Sequence, residues 1–222
     1  MSFGQSNEPG TIHVGLGWGL TLGGAAIDYT YTPVKGSAVT LNEKGVGFYS
    51  NYGVRGEYGL ADRFSAGIYI RKEGGGFLVS SNDLSSSASS SSSLVAVSAI
   101  GFGAEGRFYA VNKDKFNFYL SPAIGFTTGT ATDDNGGYGV VSSGTASGLN
   151  YGVMAGINWY FANFVGMSCD LGYSSAMLSG SFPADTDGSY SYKINSSGFF
   201  FGLGVAAKFG GGGGGGHHKK RR

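Results

Sequence analysis

Apolar and polar residues alternate along most of the chain, and the two sides of the alternation differ sharply in bulk. From Thr11 to Leu22 the even positions are Ile12, Val14, Leu16, Trp18, Leu20 and Leu22, whereas the odd ones are His13, Gly15, Gly17, Gly19 and Thr21. A period of two marks a β-strand whose faces meet different surroundings. The pattern recurs in pairs joined by tight turns. Phe48, Tyr52, Val54, Tyr58 and Leu60 are followed, after Ala61-Asp62-Arg63, by Phe64, Ala66, Ile68 and Ile70. Ile100, Phe102, Ala104 and Phe108 lead through a turn around Asn112–Lys115 into Phe116, Phe118, Leu120, Ile124 and Phe126. Tyr151, Val153, Ile157, Trp159 and Phe161 return past Ala162-Asn163 through Val165, Met167, Leu171 and Tyr173. Phe199, Phe201, Leu203, Val205, Ala207 and Phe209 form one face of a last strand.

These segments predict eight strands joined by three short turns and four long connections at about 24–45, 74–93, 130–147 and 180–195, all rich in Gly, Ser and Asp. The stretch 25–34 reads as a bulged extension of the first strand or as part of the first loop, because its phase shifts after Gly23-Gly24. An even strand number with short turns on one side and long loops on the other is the organisation of a transmembrane barrel. The fold class expected is therefore all-β: an eight-stranded antiparallel transmembrane β-barrel. Residues 1–10 read as an N-terminal segment, 11–209 as the barrel and 210–222 as a Gly-rich basic tail of artificial character.

The chemistry of the two faces separates a membrane barrel from a soluble one. A soluble barrel hides its large apolar residues inside and covers the outside with charge. Here the second face is mostly Gly, Ser, Asn and Tyr, and charged residues make up only 13% of the chain, too few to cover a water-facing wall. The apolar face is thus assigned to lipid, where every backbone group must be paired inside a closed sheet. Tyr58, Phe64, Phe108, Phe116, Trp159, Phe161 and Phe209 fall on that face at the short-turn end, the expected place of an interfacial aromatic girdle. The formal charge of +1 comes from the tail; without its four Lys and Arg, eleven basic residues face fourteen acidic ones. No nucleic-acid partner is expected from that tail alone.

The chain resembles the small outer-membrane barrels of Gram-negative bacteria, the group of OmpA-like transmembrane domains, OmpX and OmpW. The resemblance covers about residues 11–209 and rests on the strand pattern, the loop asymmetry and the terminal Gly204-Val-Ala-Ala-Lys-Phe209. It implies a bacterial outer-membrane location and outer-membrane lipids as partners. In that group a terminal aromatic on the last strand belongs to the signal for barrel assembly, and Phe209 holds that place.

Few residues on the inner face carry charge. Arg55, Arg71, Arg107 and Lys208 oppose Glu57, Glu73, Glu105 and Asp170, a set read as a lumen polar network that plugs the barrel. A selective pore or a proton path is the competing reading. Gly101-Phe-Gly-Ala-Glu-Gly106 and Gly202-Leu-Gly-Val-Ala-Ala207 match dinucleotide fingerprints in letters only, since neither opens a helix. His13 faces inward, where a pore-lining or network role is expected rather than catalysis. Cys169 lies on the lipid face as an apolar filler. The acidic stretches Asp133-Asp134-Asn135-Gly136 and Asp185-Thr186-Asp187-Gly188 lack the full spacing of a calcium loop, so turn chemistry is expected there. No metal and no cofactor is expected. The function expected is non-enzymatic: a structural or interaction barrel whose loops or wall meet other outer-membrane proteins or surface ligands. The alternative is an OmpW-like channel for small or hydrophobic molecules.

Overall fold

The computed structural model describes residues 7–80, 92–134, 141–185 and 188–210. Eight antiparallel strands, β1 (Ile12–Pro33), β2 (Val39–Ala61), β3 (Phe64–Ser80), β4 (Ser92–Asn112), β5 (Phe116–Asp134), β6 (Val141–Tyr160), β7 (Val165–Asp185) and β8 (Gly188–Phe209), pair in chain order. β8 pairs with β1, so the sheet closes into a barrel. Closure matters because hydrocarbon offers no partner to an unpaired strand edge.

The register fixes the shape. The row Leu16–Val54–Ile70–Phe102–Phe126–Leu149–Met177–Asn195 arrives back on β1 at Ala26, a stagger of ten residues around eight strands. With ordinary strand spacings that stagger sets a tilt of about 40° and a radius of about 8 Å, which leaves room inside only for side chains.

At that tilt a 20-residue strand such as β6 climbs about 50 Å, twice the ~25 Å of a lipid-facing band. The short turns stay short, at 62–63, 113–115 and 161–164. At the other end the strands run much further than the sequence alternation indicated. Most of 24–45 and the described parts of 74–93, 130–147 and 180–195 are strand rather than loop. The 25–34 stretch is an unbroken extension of β1. It stays in register with β2 and β8 without the bulge expected after Gly23-Gly24.

What changes at Gly23 is not the phase of the strand but the polarity of its faces. Odd positions of β1 point inward from His13 to Ile27; below Gly23 they are mostly Gly, above it they are Ala25 and Ile27, both buried. The same inversion occurs around the barrel. In the upper half Phe77, Val79, Val95, Leu178, Tyr192 and Ile194 pack into one buried apolar cluster inside. Outside, at the same heights, stand exposed Lys44, Ser98, Thr130, Thr145, Ser179, Lys193 and Asn195. Val46, Leu78 and Leu94, cross-strand neighbours on β2–β4, are apolar exceptions in this upper wall. The lower half is therefore built for lipid and the upper half for water, with the core of the molecule inside the upper half.

Beneath the barrel, residues 7–11 fold across the short-turn mouth. Gly10 N–H donates to Gly59 O at 2.9 Å and Gly59 N–H to Thr11 O at 2.7 Å. Asn7 is fully buried there; its side-chain amide donates to Ala61 O at 2.7 Å and its backbone N–H to Asn112 Oδ1 at 3.0 Å.

Candidate functional site

Three glycines let the inner charges find partners on distant strands. Gly67 on β3 lies in register with both Glu57 on β2 and Glu105 on β4, and a Cβ there would collide with the Glu57 side chain. Arg107 reaches both carboxylates, with Nη1 2.9 Å from Glu57 Oε1 and Nη2 3.7 Å from Glu105 Oε1. Ser65, the register partner of Arg107, donates to Glu57 Oε2 at 2.8 Å. Gly15 makes room for Arg55, whose Nη1 donates across the lumen to Asp170 Oδ2 at 3.1 Å. A Cβ at Gly156 would collide with Tyr119 and Asp170, whose phenol and carboxylate meet at 2.5 Å. The Tyr119 ring also lies beneath the Arg107 guanidinium, 4.1 Å from its carbon.

Glu57, Glu105 and Arg107 are almost wholly removed from solvent, and a charge so placed is tolerated only when paired. Satisfaction is incomplete: Nε and Nη2 of Arg107 and Oε1 of Glu105 have no hydrogen-bond partner among the described residues. One tier higher, Arg71 pairs closely with Glu73. Tyr69 donates to Asn150 Oδ1 at 2.5 Å, and the Asn150 amide donates to Thr127 at 2.7 Å. Lys208 stands apart from the set predicted with it. It lies at the lower rim, its Nζ 3.3 Å from the Asp114 carboxylate and over the buried Tyr160 ring.

His13 is buried in the lowest tier. Its Nδ1 lies 3.3 Å from the Tyr160 hydroxyl and its Nε2 3.1 Å from Asn7 Oδ1, so both ring nitrogens are occupied by structural partners. The alternation puts Tyr69, Tyr119 and Tyr160 on the small-residue face without showing them as bonding partners, and Tyr109 joins them in the lumen. The available signal was simple: a buried phenol on a face of small residues needs an acceptor.

Between the lower ion-pair tier and the Arg71–Tyr69 tier lies a chamber of about 80 Å³, lined by Asn51, Arg55, Arg71, Glu105, Asp170 and Phe200 among others. From bottom to top the lumen thus runs from an ion-pair filling through a small chamber and a second polar tier to an apolar filling.

On the outside, Tyr58, Phe64, Phe108, Phe116, Trp159, Phe161 and Phe209 are all exposed around the short-turn end, and Phe164 joins them. A second aromatic set, Tyr52, Phe102, Phe126, Tyr151, Tyr173 and Phe199, is exposed about three turns of the pleat higher. Aliphatic side chains such as Leu16, Ile68, Ile124 and Leu171 fill the belt between the two sets. Two aromatic rings separated by an aliphatic belt are the exterior of a transmembrane barrel.

The chain has the fold of bacterial outer-membrane β-barrels. OprG of Pseudomonas aeruginosa, an outer-membrane protein, superimposes with a TM-score of 0.66 at 10% identity over 91% of this chain and 97% of its own. The Escherichia coli outer-membrane protease OmpT superimposes with a TM-score of 0.52 at 11% identity, over 94% and 99%. No protein-family profile matches the chain, and no curated protein matches it in sequence. Among the described residues no group of His, Cys, Asp or Glu is arranged to hold a metal ion. Cys169 is half-buried on the lipid-facing side of β7. The acidic stretches beginning at Asp133 and Asp185 and the tail from 211 lie wholly or partly outside the described residues.

Proposed function

We propose that the chain is a non-conducting, non-enzymatic outer-membrane barrel that holds a rigid extracellular tube above the lipid, where its wall and loops meet partners. The observation that carries this reading is the double filling of the lumen. Arg107, Glu57 and Glu105 occupy its lower half, and Ile27, Phe77, Leu178 and Ile194 occupy its upper half. A solute would have to displace buried ion pairs and then an apolar core, two unrelated barriers in series. The stabilised upper half fits a presenting role, because strands paired to their ends hold the connecting segments at fixed positions. A catalytic reading has little to stand on, since His13 is engaged by Tyr160 and Asn7.

Planar-bilayer recording of the intact protein tests the proposal, and the expected result is no steady current. A large, stable, ion-selective conductance would overturn it. A second reading, a conduit for small or hydrophobic molecules, draws on the chamber of about 80 Å³ within the polar filling. It predicts saturable uptake of such a molecule into liposomes carrying the barrel, above that of empty liposomes.

A further inference from the structure

On the β1–β4 side an apolar column climbs out of the lipid belt into the water-facing wall. At the tilt of the strands, each residue along a strand gains about 2.5 Å of height, and each strand crossed from β1 towards β4 gains about 3 Å. The sideways drifts of these two moves are opposite, so one strand across and two residues up returns to the same vertical line. Leu20 on β1, Phe48 on β2 and Leu78 on β3 are related by that step and stand above one another at intervals of about 8 Å. Leu22 and Val46 flank the line on one side, and Leu94 closes its top on β4. Leu22, Val46, Phe48, Leu78 and Leu94 are all between 45% and 69% exposed. The column starts at the upper edge of the belt and ends between Lys44 and Ser98 of the polar wall. A contiguous apolar surface of this kind in a polar wall marks a contact with another molecule.

The two flanks of the column differ in bulk at matching heights. Val46 on one side is matched by Gly76 on the other, and Leu22 by Ser50, each at nearly the same distance from the line. Gly76 lies on the outer face beside Leu94, since a Cβ there would come 3.2 Å from Leu94 Cδ1. A two-fold axis parallel to the membrane normal, running in front of the line, exchanges the flanks without changing height. It sets Val46 of one copy over the bare Gly76 of a second copy and Leu22 over Ser50. Phe48 and Leu78 then meet their own counterparts on the axis.

We propose that two copies of this chain pair through this column, side by side in one membrane. The occupant has to cover side chains in lipid and in water at once. A soluble protein does not reach Leu20 and Trp18, and lipid chains do not extend to Leu78 and Leu94. A second barrel, held at the same depth by the same two aromatic rings, spans both. At roughly 100 Å² of apolar surface per side chain, the five exposed residues with Leu20 and Trp18 let a pair bury about 1,200 Å², where specific interfaces begin. The pairing rests on the reading that the wall meets partners and names one of them; it does not depend on the closed lumen.

Disulfide capture in liposomes tests the pairing, in a Cys169→Ala background that leaves each variant a single cysteine. Leu78→Cys should give a covalent dimer on mild oxidation. Ser179→Cys, exposed at nearly the same height on the opposite wall, should stay monomeric. Adding Gly76→Leu to Leu78→Cys fills the space that Val46 of the second copy takes and should lower the dimer yield about tenfold. Adding Ser147→Leu, on the far side of the barrel, should leave the yield unchanged. Anomalous gel mobility before boiling checks that each variant is folded. No dimer from Leu78→Cys, equal yields from Leu78→Cys and Ser179→Cys, or a yield unmoved by Gly76→Leu would each overturn the pairing. Planar-bilayer recording is indifferent to these outcomes, so loss of the pairing leaves the closed-barrel reading standing.

Discussion

Arg107 shows how much one residue holds in a barrel this narrow. Its guanidinium is the shared partner of Glu57 and Glu105, both nearly excluded from water, and it covers the Tyr119 ring. Arg107→Ala would leave two buried carboxylates without the cation that pairs them. The expected cost is about 3–5 kcal/mol, read as a lower denaturant midpoint for the loss of the compact gel form. Combining Arg107→Met with Glu57→Gln removes charge from both sides and should cost less than Arg107→Ala alone; a larger cost would mean that packing rather than charge dominates. The residue types of this cluster were legible in the sequence, since Arg and Glu on a face of Gly and Ser have few reasons to be there. Their partners were not. Arg107 bonds across β3 to Glu57, fifty positions away, next to Gly67, where a Cβ would crowd the Glu57 side chain. Lys208 shares the inward parity of the network, yet its place near the end of β8 pairs it with Asp114 at the lower rim.

For a whole strand, the informative event is the exchange of polarity between faces. In β1 the sequence reads cleanly from Ile12 to Leu22 because one face is lipid-apolar and the other nearly bare. Beyond Gly23 the bulky residues move to the other parity, and a reading by hydrophobic phase alone takes that for a bulge or a loop. Physically the strand has left hydrocarbon for water, so apolar side chains turn from the outside to the inside without any change in backbone direction. β3 makes the same exchange across Gly74-Gly75-Gly76, from Ile70 outside to Phe77 and Val79 inside. The exchange predicts opposite outcomes at two heights on one strand. Leu16→Arg, outward within the belt, should destabilise the barrel by about 2–4 kcal/mol near mid-membrane. Thr30→Arg, also outward but in the upper wall, should fold almost as the parent does. Ile27→Arg, inward at nearly the same height as Thr30, should fail to reach the compact form. Assembly yields into liposomes would measure all three. Similar yields for Ile27→Arg and Thr30→Arg would contradict the inversion.

At the scale of the whole molecule the two fillings act as gates in series, and this makes the closed state robust to damage at either one. The strand count and the closure were readable from alternation and turn spacing, but the second filling was not, because it is built from the segments that looked like loops. An inner charge removed from a single plug would be expected to admit a leak. With an apolar cluster above it, the same change should leave the barrel closed. Glu57→Ala with Arg107→Ala should therefore show little steady current, since Phe77, Leu178 and Ile194 still occlude the upper half. Phe77→Ala with Leu178→Ala should also remain closed, because the ion pairs below are intact. Only the four substitutions together should give a sustained conductance, provided that gel mobility shows the barrel still formed. Current through the upper-filling variant alone would mean that the ion-pair tier is permeable. Current through the lower-filling variant alone would mean that the apolar cluster opens readily. In either case the barrel would be a gated conduit, and the conduit reading would replace the scaffold.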